Sequence, residues 1–538
     1  MTRTARFIVN VVWNWLGVGV GLVAGLLLSP YLIRKLGADG YGIWALSFAI
    51  VEYYWLTDLG FRSATVKYVA HHSATGEHDK VREVVNTAIT YAALIGAVIL
   101  AAVLVIAPKL DKFFQIEPGY ATTFPRLVVL ITASWCLGAV FNVFGAAVDA
   151  VQRFDLTNRV GILGTVVRTA GTFVLLYYGR GLVDIGLMVV ASQCLTYALH
   201  YWNYRRLFAC HEISPRFANR QVLGQMARFG FHTFLGTISV QIANQSAPIL
   251  IGHFRPTAFV GYYTLPVRLL VYTVEMVGRI GLVTSANAAE LAARNDLRAL
   301  VRLAIYPNRY CLMLYMPLAI VLWTYGAQLL RVWVGAAFAA QSAPVLPVLL
   351  AGSLLAIVGQ FSSSMLLQGL GRHQAYSRAT FVEAVAGVAA MIIVIPRFGI
   401  LGAAWVSTIG LIINRAIFAS WLTSRVIGVP VQRYLHDIYT RPLSTAVPIL
   451  ALALVLRNSF LPGNTWLELV SAAAILGSAY FILAFMFCVT GEDRGILFTW
   501  IRRLRFSQNS RTYLPGGSSI PVNEFAGRGQ PRSTESSQ

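Results

Sequence analysis

Charged residues and cysteines are both scarce in this sequence. Asp, Glu, Lys and Arg make up 12% of its 538 residues, whereas a typical soluble domain carries about 25%. The five cysteines stand singly, without the CxxC or Cys/His spacing of a metal site or a disulfide framework. No Walker A motif and no glycine-rich dinucleotide loop occurs, which excludes ATP hydrolysis by a recognisable motif. We therefore expect neither a soluble enzyme nor a bound metal or organic cofactor.

Long apolar runs account for this composition. Hydrophobic residues make up 57% of the chain, and runs of roughly 20 residues, enough to cross a bilayer as a helix, recur throughout. The candidate runs lie at about 10–33, 43–66, 84–107, 126–148, 160–178, 183–203, 229–251, 260–285, 310–325, 345–368, 380–396, 402–423, 442–456 and 466–490. They predict an all-α, polytopic membrane protein of about 14 transmembrane helices.

A weak internal repeat divides the first twelve predicted helices into two groups of six. Segments about 218 residues apart resemble each other in the same order along the chain: Ser29–Ile33 is echoed by Ala247–Ile251, and Gln152–Arg159 by Gly371–Arg378. Because each unit has an even number of spans, we predict a parallel, pseudo-twofold repeat of the kind that forms the two lobes of many transporters. The predicted domains are a first lobe at 1–214, a second lobe at 215–430, two extra helices at 431–490 and a disordered cytoplasmic tail at 491–538.

The net charge of +21 follows from an uneven placement of Lys and Arg. With the N-terminus inside, most of them fall in the cytoplasmic loops and tail, which is the positive-inside pattern. This bias sets the topology and does not indicate nucleic acid as a partner. We expect both termini in the cytoplasm and no external loop long enough to form a catalytic domain.

Charged residues inside the predicted helices are the first candidates for function, because each is costly in hydrocarbon unless it faces protein or water. Arg268, Glu275 and Arg279 are spaced i, i+7 and i+11, so they share one face of the eighth helix. We expect this face to line a cavity. Asp58 and Arg62 form an i, i+4 acid–arginine pair in the second helix. A structural ion pair near the helix end is an equal alternative for such a pair.

Two further arginines, Arg168 and Arg415, lie near the middle of the membrane in the fifth and twelfth helices. Neither has an obvious acidic partner on its own helix. An anion in a wet cavity would explain them, because guanidinium binds phosphate in a bidentate manner. Pairing with Glu52 or Glu383 on another helix is the alternative.

Amide side chains accompany these charges. Gln241 and Asn244 share one face of the seventh helix. Amides suit sugar hydroxyls, and they equally suit hydrogen bonds between helices. Both interpretations stay open at this point.

Two stretches near the N-terminus carry a family resemblance. Pro30–Trp44 reads PYLIRKLGADGYGIW, and Thr57–Ala70 reads TDLGFRSATVKYVA. Both resemble the beginning of bacterial polysaccharide flippases, the O-antigen and exopolysaccharide exporters of the multidrug/oligosaccharidyl-lipid/polysaccharide superfamily. As architecture, with six plus six plus two helices, the resemblance extends over most of the chain.

The resemblance implies a transporter without covalent chemistry. Family members move a sugar chain on an isoprenoid pyrophosphate carrier from the inner to the outer leaflet, through a cavity between two lobes that opens to alternate sides. The residues that would hold the pyrophosphate or the sugar are, by position, Arg268, Arg279, Arg62, Arg168, Arg415, Gln241 and Asn244. The acids Asp58, Glu275, Glu52 and Glu383 would have coupling or structural roles, since proton or sodium coupling is expected in the superfamily.

The resemblance also implies a location and partners. We expect the bacterial inner membrane, with a lipid-linked oligosaccharide, membrane lipids and a polysaccharide polymerase or export complex as partners. A drug/cation antiporter of the same superfamily and a lipid II flippase stay open as alternatives. The two extra helices and the in-helix arginines argue against the antiporter. The short external loops argue against a membrane enzyme such as a polymerase or glycosyltransferase.

Overall fold

The computed structural model describes residues 3–54, 60–208, 212–278, 282–359, 363–489 and 494. These residues form helices joined by turns, and no strand occurs among them. The α-helices are α1 (Arg3–Glu52), α2 (Phe61–Ala74), α3 (His78–Ile106), α4 (Leu110–Phe113), α5 (Thr123–Ala150), α6 (Phe154–Tyr177), α7 (Leu182–Leu207), α8 (Arg220–Phe254), α9 (Ala258–Gly278), α10 (Leu282–Ala293), α11 (Leu297–Val334), α12 (Ala336–Ser342), α13 (Val345–Val358), α14 (Ser364–Gly369), α15 (Gln374–Leu411), α16 (Ala419–Ile427), α17 (Val431–Val455) and α18 (Trp466–Phe487). Two π-helices, Ile412–Phe418 and Leu456–Phe460, follow α15 and α17.

Many of these helices are long enough to cross a membrane. Among the described residues, nine are both long and apolar enough, or ten if the bent pair α12 and α13 forms one span. Two of the nine contain a non-helical glycine, Gly37 in α1 (φ 75°) and Gly399 in α15 (φ 60°), so each consists of two segments. Glycine suits these turns because a side chain is strained at positive φ. The prediction of an all-α, multi-pass membrane protein is confirmed, and the number of fourteen spans stays a prediction.

Some predicted spans are longer in the structure. The run at 310–325 is part of α11, which begins at Leu297, and the run at 442–456 is part of α17, which begins at Val431. Polar residues such as Asn308 and Arg309 interrupt the apolar pattern, so the sequence places the beginning of the helix too late. Both side chains are buried and bonded within the protein: Asn308 donates to the Tyr434 hydroxyl at 3.0 Å, and Arg309 donates to the Asp437 carbonyl oxygen.

The predicted span at 43–66 is divided. It corresponds to the end of α1 at Glu52 and the beginning of α2 at Phe61, whereas the run at 260–285 includes α9, α10 and residues 279–281, which lie outside the described residues. Gly60, just before α2, has φ 76°, and a Cβ atom there would collide with the backbone of Gly230 in α8. Close backbone approach therefore requires glycine at this position.

Residues 1–488 pack as one compact unit. In its first half, α5 packs against α3 and α7, and α1 against α6. In its second half, α8 packs against α15, and α11 against α13, α17 and α18. In the remaining unit, residues 489–538, the Arg494 guanidinium donates to the carbonyl oxygen of Val489 at 3.0 Å. Residues 1–488 thus form one compact body, and the division into two lobes stays a prediction. The helices α1–α7 are called the first bundle below, and the helices from α8 onward are called the second bundle.

The two bundles meet tightly at one end of the molecule, here called the closed end. Gly42 of α1 lies against the backbone of Thr257, next to the start of α9. The Tyr41 ring meets the Phe338 ring edge to face at 5.9 Å. The backbone N–H of Gln115 donates to the carbonyl oxygen of Gly252 at 3.0 Å.

At the opposite end, helix α8 connects the two bundles. The segment just before α8 forms hydrogen bonds to α3 of the first bundle. The Ser214 N–H donates to the Asn86 side chain, and the Asn219 N–H donates to the Thr87 hydroxyl. Met226 of α8 is buried in the cluster formed by the ends of α2, α3 and α5. With 35 residues, α8 is about 50 Å long, and its other half packs against α15. It therefore extends from the first bundle into the core of the second.

We predict that Gly42→Ala destabilises the protein by about 1–3 kcal/mol, because the added Cβ atom would overlap the Thr257 carbonyl oxygen. The measurement is the midpoint of thermal unfolding of the purified protein in detergent. Gly19→Ala is the matched control, since Gly19 is also in α1 and has nothing within 4 Å of a Cβ atom. It should leave the midpoint unchanged or raise it slightly. Equal midpoints for both variants would contradict the packing at the closed end.

Candidate functional site

A cavity of 290 Å³ lies inside the first bundle. Three of the charged residues singled out in the sequence line it: Glu52 at the end of α1, Arg62 in α2 and Arg168 in α6. Its other polar and aromatic lining residues are Phe48, Phe61, Thr65, Tyr91, Ser134, Trp135, Asn142, Gln193 and Tyr197. The cavity thus combines guanidinium groups with aromatic rings and amides.

Arg62 is held by an ion pair within this cavity. Its guanidinium donates to the Asp149 carboxylate at 2.7 Å, and the Asp149 side chain, at the end of α5, is only 8% exposed while that of Arg62 is 44% exposed. Asp149 also accepts a hydrogen bond from the Thr157 hydroxyl at 2.7 Å. The sequence paired Arg62 with Asp58, which lies outside the described residues. The partner seen here is 87 positions away, so helix periodicity could not find it.

The charges of Arg168 and Arg268 interact across the two bundles. Arg168 is in α6 and Arg268 in α9, and they are near enough for their like charges to interact. The Arg268 charge also acts on the Glu52 carboxylate. Neither guanidinium has a hydrogen bond or an ion pair with a described residue. The ion pair between Arg168 and Glu52, the alternative considered for the sequence, is therefore not formed.

Helix α9 presents the predicted face toward this region. Arg268 and Glu275 are exposed on it, and Tyr272 lies between them within range of both charges. The Tyr272 hydroxyl packs against Gly25 of α1, where a larger residue would collide with it. This part of α9 therefore lies at the junction of the bundles. Arg279, the last member of the predicted face, lies outside the described residues.

Gln241 joins the same junction. Its side-chain amide, on α8, donates to the carbonyl oxygen of Glu52 at 2.7 Å. One turn further along, the Tyr53 hydroxyl and the Ser246 hydroxyl are 2.7 Å apart. The structure thus assigns Gln241 a hydrogen bond between helices of different bundles, which was one of the two interpretations of its amide.

A second cavity, of 170 Å³, lies inside the second bundle. It is lined by three more predicted residues, Asn244, Glu383 and Arg415. Glu383 accepts a hydrogen bond from the Asn414 amide at 2.6 Å. No ion pair within 4 Å joins Glu383 to Arg415 among the described residues, and the Arg415 Nε has no hydrogen-bond partner. The predicted residues therefore fall into two cavities and one junction between them.

The two cavities occupy related places in the sequence repeat. Several lining positions correspond at a constant offset of 219 residues. The matching pairs are Phe48 and Val267, Val51 and Leu270, and Ser134 and Ser353. The charges do not follow this symmetry, because the position matching Arg168 is Gly387. The two cavities are therefore lined from corresponding positions of the repeat, but their charged residues are at different positions.

Two buried charged residues were not singled out in the sequence. Asp149 lies just after the predicted span at 126–148, and Arg309 just before the one at 310–325, so both fall outside the predicted spans. In the structure both are inside helices and buried. Because a charge at the edge of an apolar run is ambiguous, only the partners found in the fold reveal their place.

We predict that Asp149→Asn lowers the stability by about 1–3 kcal/mol, because it leaves Arg62 and Thr157 facing a weaker acceptor. The effect should be near the lower value, since solvent reaches Arg62. A double-mutant cycle with Arg62→Gln, read by thermal unfolding, should show coupling between the two positions. Asp79→Asn is the control, because Asp79 forms an exposed pair with Arg82 and should change stability by less than about 0.5 kcal/mol. Additive effects of the two substitutions would contradict the pair.

Three relatives match most of the chain at low identity. EpsK, an uncharacterised membrane protein of Bacillus subtilis, is 20% identical over 94% of this chain and 100% of its own length. A putative O-antigen transporter of Shigella flexneri is 18% identical over 78% of this chain and 98% of its own. A probable low-salt glycan biosynthesis flippase of Haloferax volcanii, Agl15, is 20% identical over 74% of this chain and 79% of its own.

Solved structures share the fold. The lipid II flippase MurJ in an inward closed conformation matches with a TM-score of 0.71 at 13% identity, covering 89% of this chain and 98% of MurJ. An inward-facing multidrug resistance MATE transporter of the MOP superfamily matches with a TM-score of 0.65 at 16% identity, over 77% of this chain and 99% of its own. These similarities confirm the fold implied by the family resemblance.

The family comparison covers more than half of the chain. Residues 7–284 match the family described as polysaccharide biosynthesis protein. The match includes both stretches that carry the resemblance, together with Arg62, Arg168 and Arg268. The chain therefore belongs to the polysaccharide biosynthesis protein family, and its long apolar helices are those of a multi-pass membrane protein.

Proposed function

We propose that this protein translocates an oligosaccharide repeat unit linked to an isoprenoid diphosphate from the inner to the outer leaflet of the bacterial inner membrane, by alternating access. The observation that carries the proposal is the charge interaction between Arg168 and Arg268 of opposite bundles, neither of which forms an ion pair with a described residue. The names of the O-antigen transporter and the glycan flippase support the substrate class.

The charge arrangement favours a diphosphate. Two guanidinium groups repel each other, and the repulsion is larger in the low dielectric of a membrane protein than in water. An anion with at least two negative charges removes this repulsion and accepts bidentate hydrogen bonds from both planar groups. Glu52 lies beside Arg268 and limits the net positive charge. A drug cation would be repelled by the same pair of arginines.

The first cavity supplies suitable contacts for sugars. Trp135 and Tyr91 offer aromatic faces, and Asn142 and Gln193 offer amide donors and acceptors. Sugar rings present apolar C–H faces and hydroxyl edges, which match aromatic rings and amides respectively. Because Arg168 lines the same cavity, a diphosphate at Arg168 would place the attached sugar beside these groups. The isoprenoid tail stays in the bilayer.

Binding at the junction also supports a mechanism. The closed end holds the bundles together through backbone contacts at Gly42 and Gly252, while α8 links them at the other end. A ligand shifts such an equilibrium only if it binds one state more tightly. A diphosphate held by Arg168 and Arg268 together favours states in which the two arginines are close. Its release would allow the bundles to separate there.

The remaining parts of the proposal concern the membrane and coupling. We place both termini in the cytoplasm, which makes the closed end the outer end. Proton or sodium coupling through Glu52, Glu275, Glu383 or Asp58 and delivery to a polysaccharide polymerase or export complex are parts of the same proposal. They follow the family resemblance and the positive-inside bias.

We predict that Arg268→Ala and Arg168→Ala each reduce glycan export about tenfold or more, because each removes charge-assisted hydrogen bonds to the diphosphate. The measurement is the amount of isoprenoid-diphosphate glycan in each leaflet of a deletion strain that expresses the variant. The double variant should be little worse than either single one, since both side chains serve one ligand. Arg294→Ala is the control, because Arg294 forms an exposed pair with Glu290. Normal export from a well-expressed Arg268→Ala protein would contradict the site.

The deletion strain itself separates the alternatives. Glycan accumulating in the inner leaflet, with loss of surface polysaccharide, is the expected result. Accumulation of the peptidoglycan precursor instead would indicate a lipid II flippase. Normal distribution of both lipids, with increased sensitivity to cationic drugs, would overturn the proposal in favour of an antiporter.

A further inference from the structure

We propose that the cavity of the second bundle binds a small monovalent inorganic anion, of the class of chloride, at Arg415. This site is separate from the junction of Arg168 and Arg268. The inference does not depend on the proposed substrate, because it concerns a cavity enclosed by α8, α9, α13, α15 and the π-helix Ile412–Phe418.

Arg415 is a buried cation without an ion pair among the described residues. The residue is 8% exposed, lines the cavity, and its Nε has no hydrogen-bond partner. Burying a guanidinium in this way is strongly unfavourable unless it is paired and hydrogen-bonded. An anion in the cavity would supply both the charge and the missing acceptor.

The backbone holds Arg415 in this place. It lies in the middle of a π-helix, a rare turn that is frequent at functional sites. Gly359 packs directly against the carbonyl oxygen of Arg415, and a Cβ atom at Gly359 would overlap that oxygen. The close approach of the two segments fixes the arginine backbone beside the cavity. The position of the cation is therefore determined by packing and not by a carboxylate.

The carboxylate of the same cavity is bonded elsewhere. Glu383 accepts from the Asn414 amide at 2.6 Å, and the same amide lies 3.1 Å from the Thr380 hydroxyl. Gly410 leaves the space that the Glu383 side chain occupies. Glu383 is thus held by a neutral amide, and Arg415 keeps its unpaired Nε. A direct ion pair is not the arrangement that this packing provides.

Hydroxyl groups complete the lining. Ser246, Ser353, Ser407 and Tyr263 line the cavity. Ser353 donates to the Leu350 carbonyl oxygen, and Ser246 is paired with Tyr53. Ser407 and Tyr263 are therefore the hydroxyls that can donate to an anion, because hydroxyl hydrogens rotate. The Tyr263 and Ser407 hydroxyls are 3.2 Å apart, so one of them can turn toward a ligand. The volume of 170 Å³ is enough for one small ion with several waters, each of which takes about 30 Å³.

The charge balance selects a monovalent anion. Arg415 repels a metal cation, while Glu383 in the same cavity repels a second negative charge on the ligand. A single negative charge next to the guanidinium satisfies Arg415 with the least repulsion from Glu383. Removing the charge of Glu383 should therefore tighten binding, and removing that of Arg415 should abolish it.

The test is thermal unfolding of the purified full-length protein, prepared in gluconate buffer and titrated with chloride at constant ionic strength. A ligand that binds the folded state raises the midpoint in a saturable way, and this rise is the expected result for the unmodified protein. Arg415→Gln should lose at least about tenfold in apparent affinity. Glu383→Gln, which still accepts from Asn414, should bind chloride more tightly. Arg294→Gln, with its exposed pair to Glu290, is the control and should behave like the unmodified protein.

Several results would overturn the proposal. One is the absence of any chloride-specific rise, and another is an equal rise in Arg415→Gln, which would indicate screening at the surface. A response to phosphate without a response to chloride would assign Arg415 to the transported diphosphate instead. If Arg415→Gln does not fold, the affinity gain in Glu383→Gln decides, because an unchanged or weaker affinity there contradicts the charge balance.

Discussion

A polar or charged group inside a bilayer must find its partner within the protein, and this constraint organises the structure. Asn308 is satisfied by Tyr434, Arg309 by the Asp437 carbonyl oxygen, and Arg62 by Asp149 across two helices. These contacts fix how the helices pack. The arginines that lack such a partner are therefore the informative exceptions, because none of the described residues forms an ion pair with them.

The unpaired arginines lie in or beside cavities that the repeat relates to each other, but the arginines themselves do not occupy matching positions. Both bundles contain a cavity built from corresponding positions, but Arg168 is matched by Gly387. In the first bundle the cation lies at the junction, where Arg268 of the second bundle approaches it. In the second bundle Arg415 is buried and lines a cavity of its own. Corresponding positions of the repeat thus line two cavities, and we propose a lipid-linked diphosphate as the ligand at the junction and a small anion as the ligand at Arg415.

Much of this arrangement follows from local sequence pattern. Apolar runs locate the helices, and the i, i+7 spacing places Arg268 and Glu275 on one exposed face of α9, as the structure has them. The partner of Arg62 could not be obtained in this way, because Asp149 is 87 positions away and lies at the edge of an apolar run. The beginnings of α11 and α17 were placed too late for a similar reason: polar residues that are satisfied by tertiary contacts look like loop residues when read alone.

By itself, the sequence determined the all-helical membrane class, indicated the family and located several of the charges inside helices, because hydropathy and helical period are local properties of the chain. Only the tertiary structure decided which charges are paired and which face a cavity. The reason is physical: the cost of a buried arginine depends on what lies within a few ångströms of its guanidinium, and those neighbours come from helices far apart in the chain. The sequence offered Asp58 as the partner of Arg62 and Glu52 or Glu383 as the partner of Arg415. Packing instead pairs Arg62 with Asp149 and leaves the Arg415 Nε without a hydrogen-bond partner among the described residues.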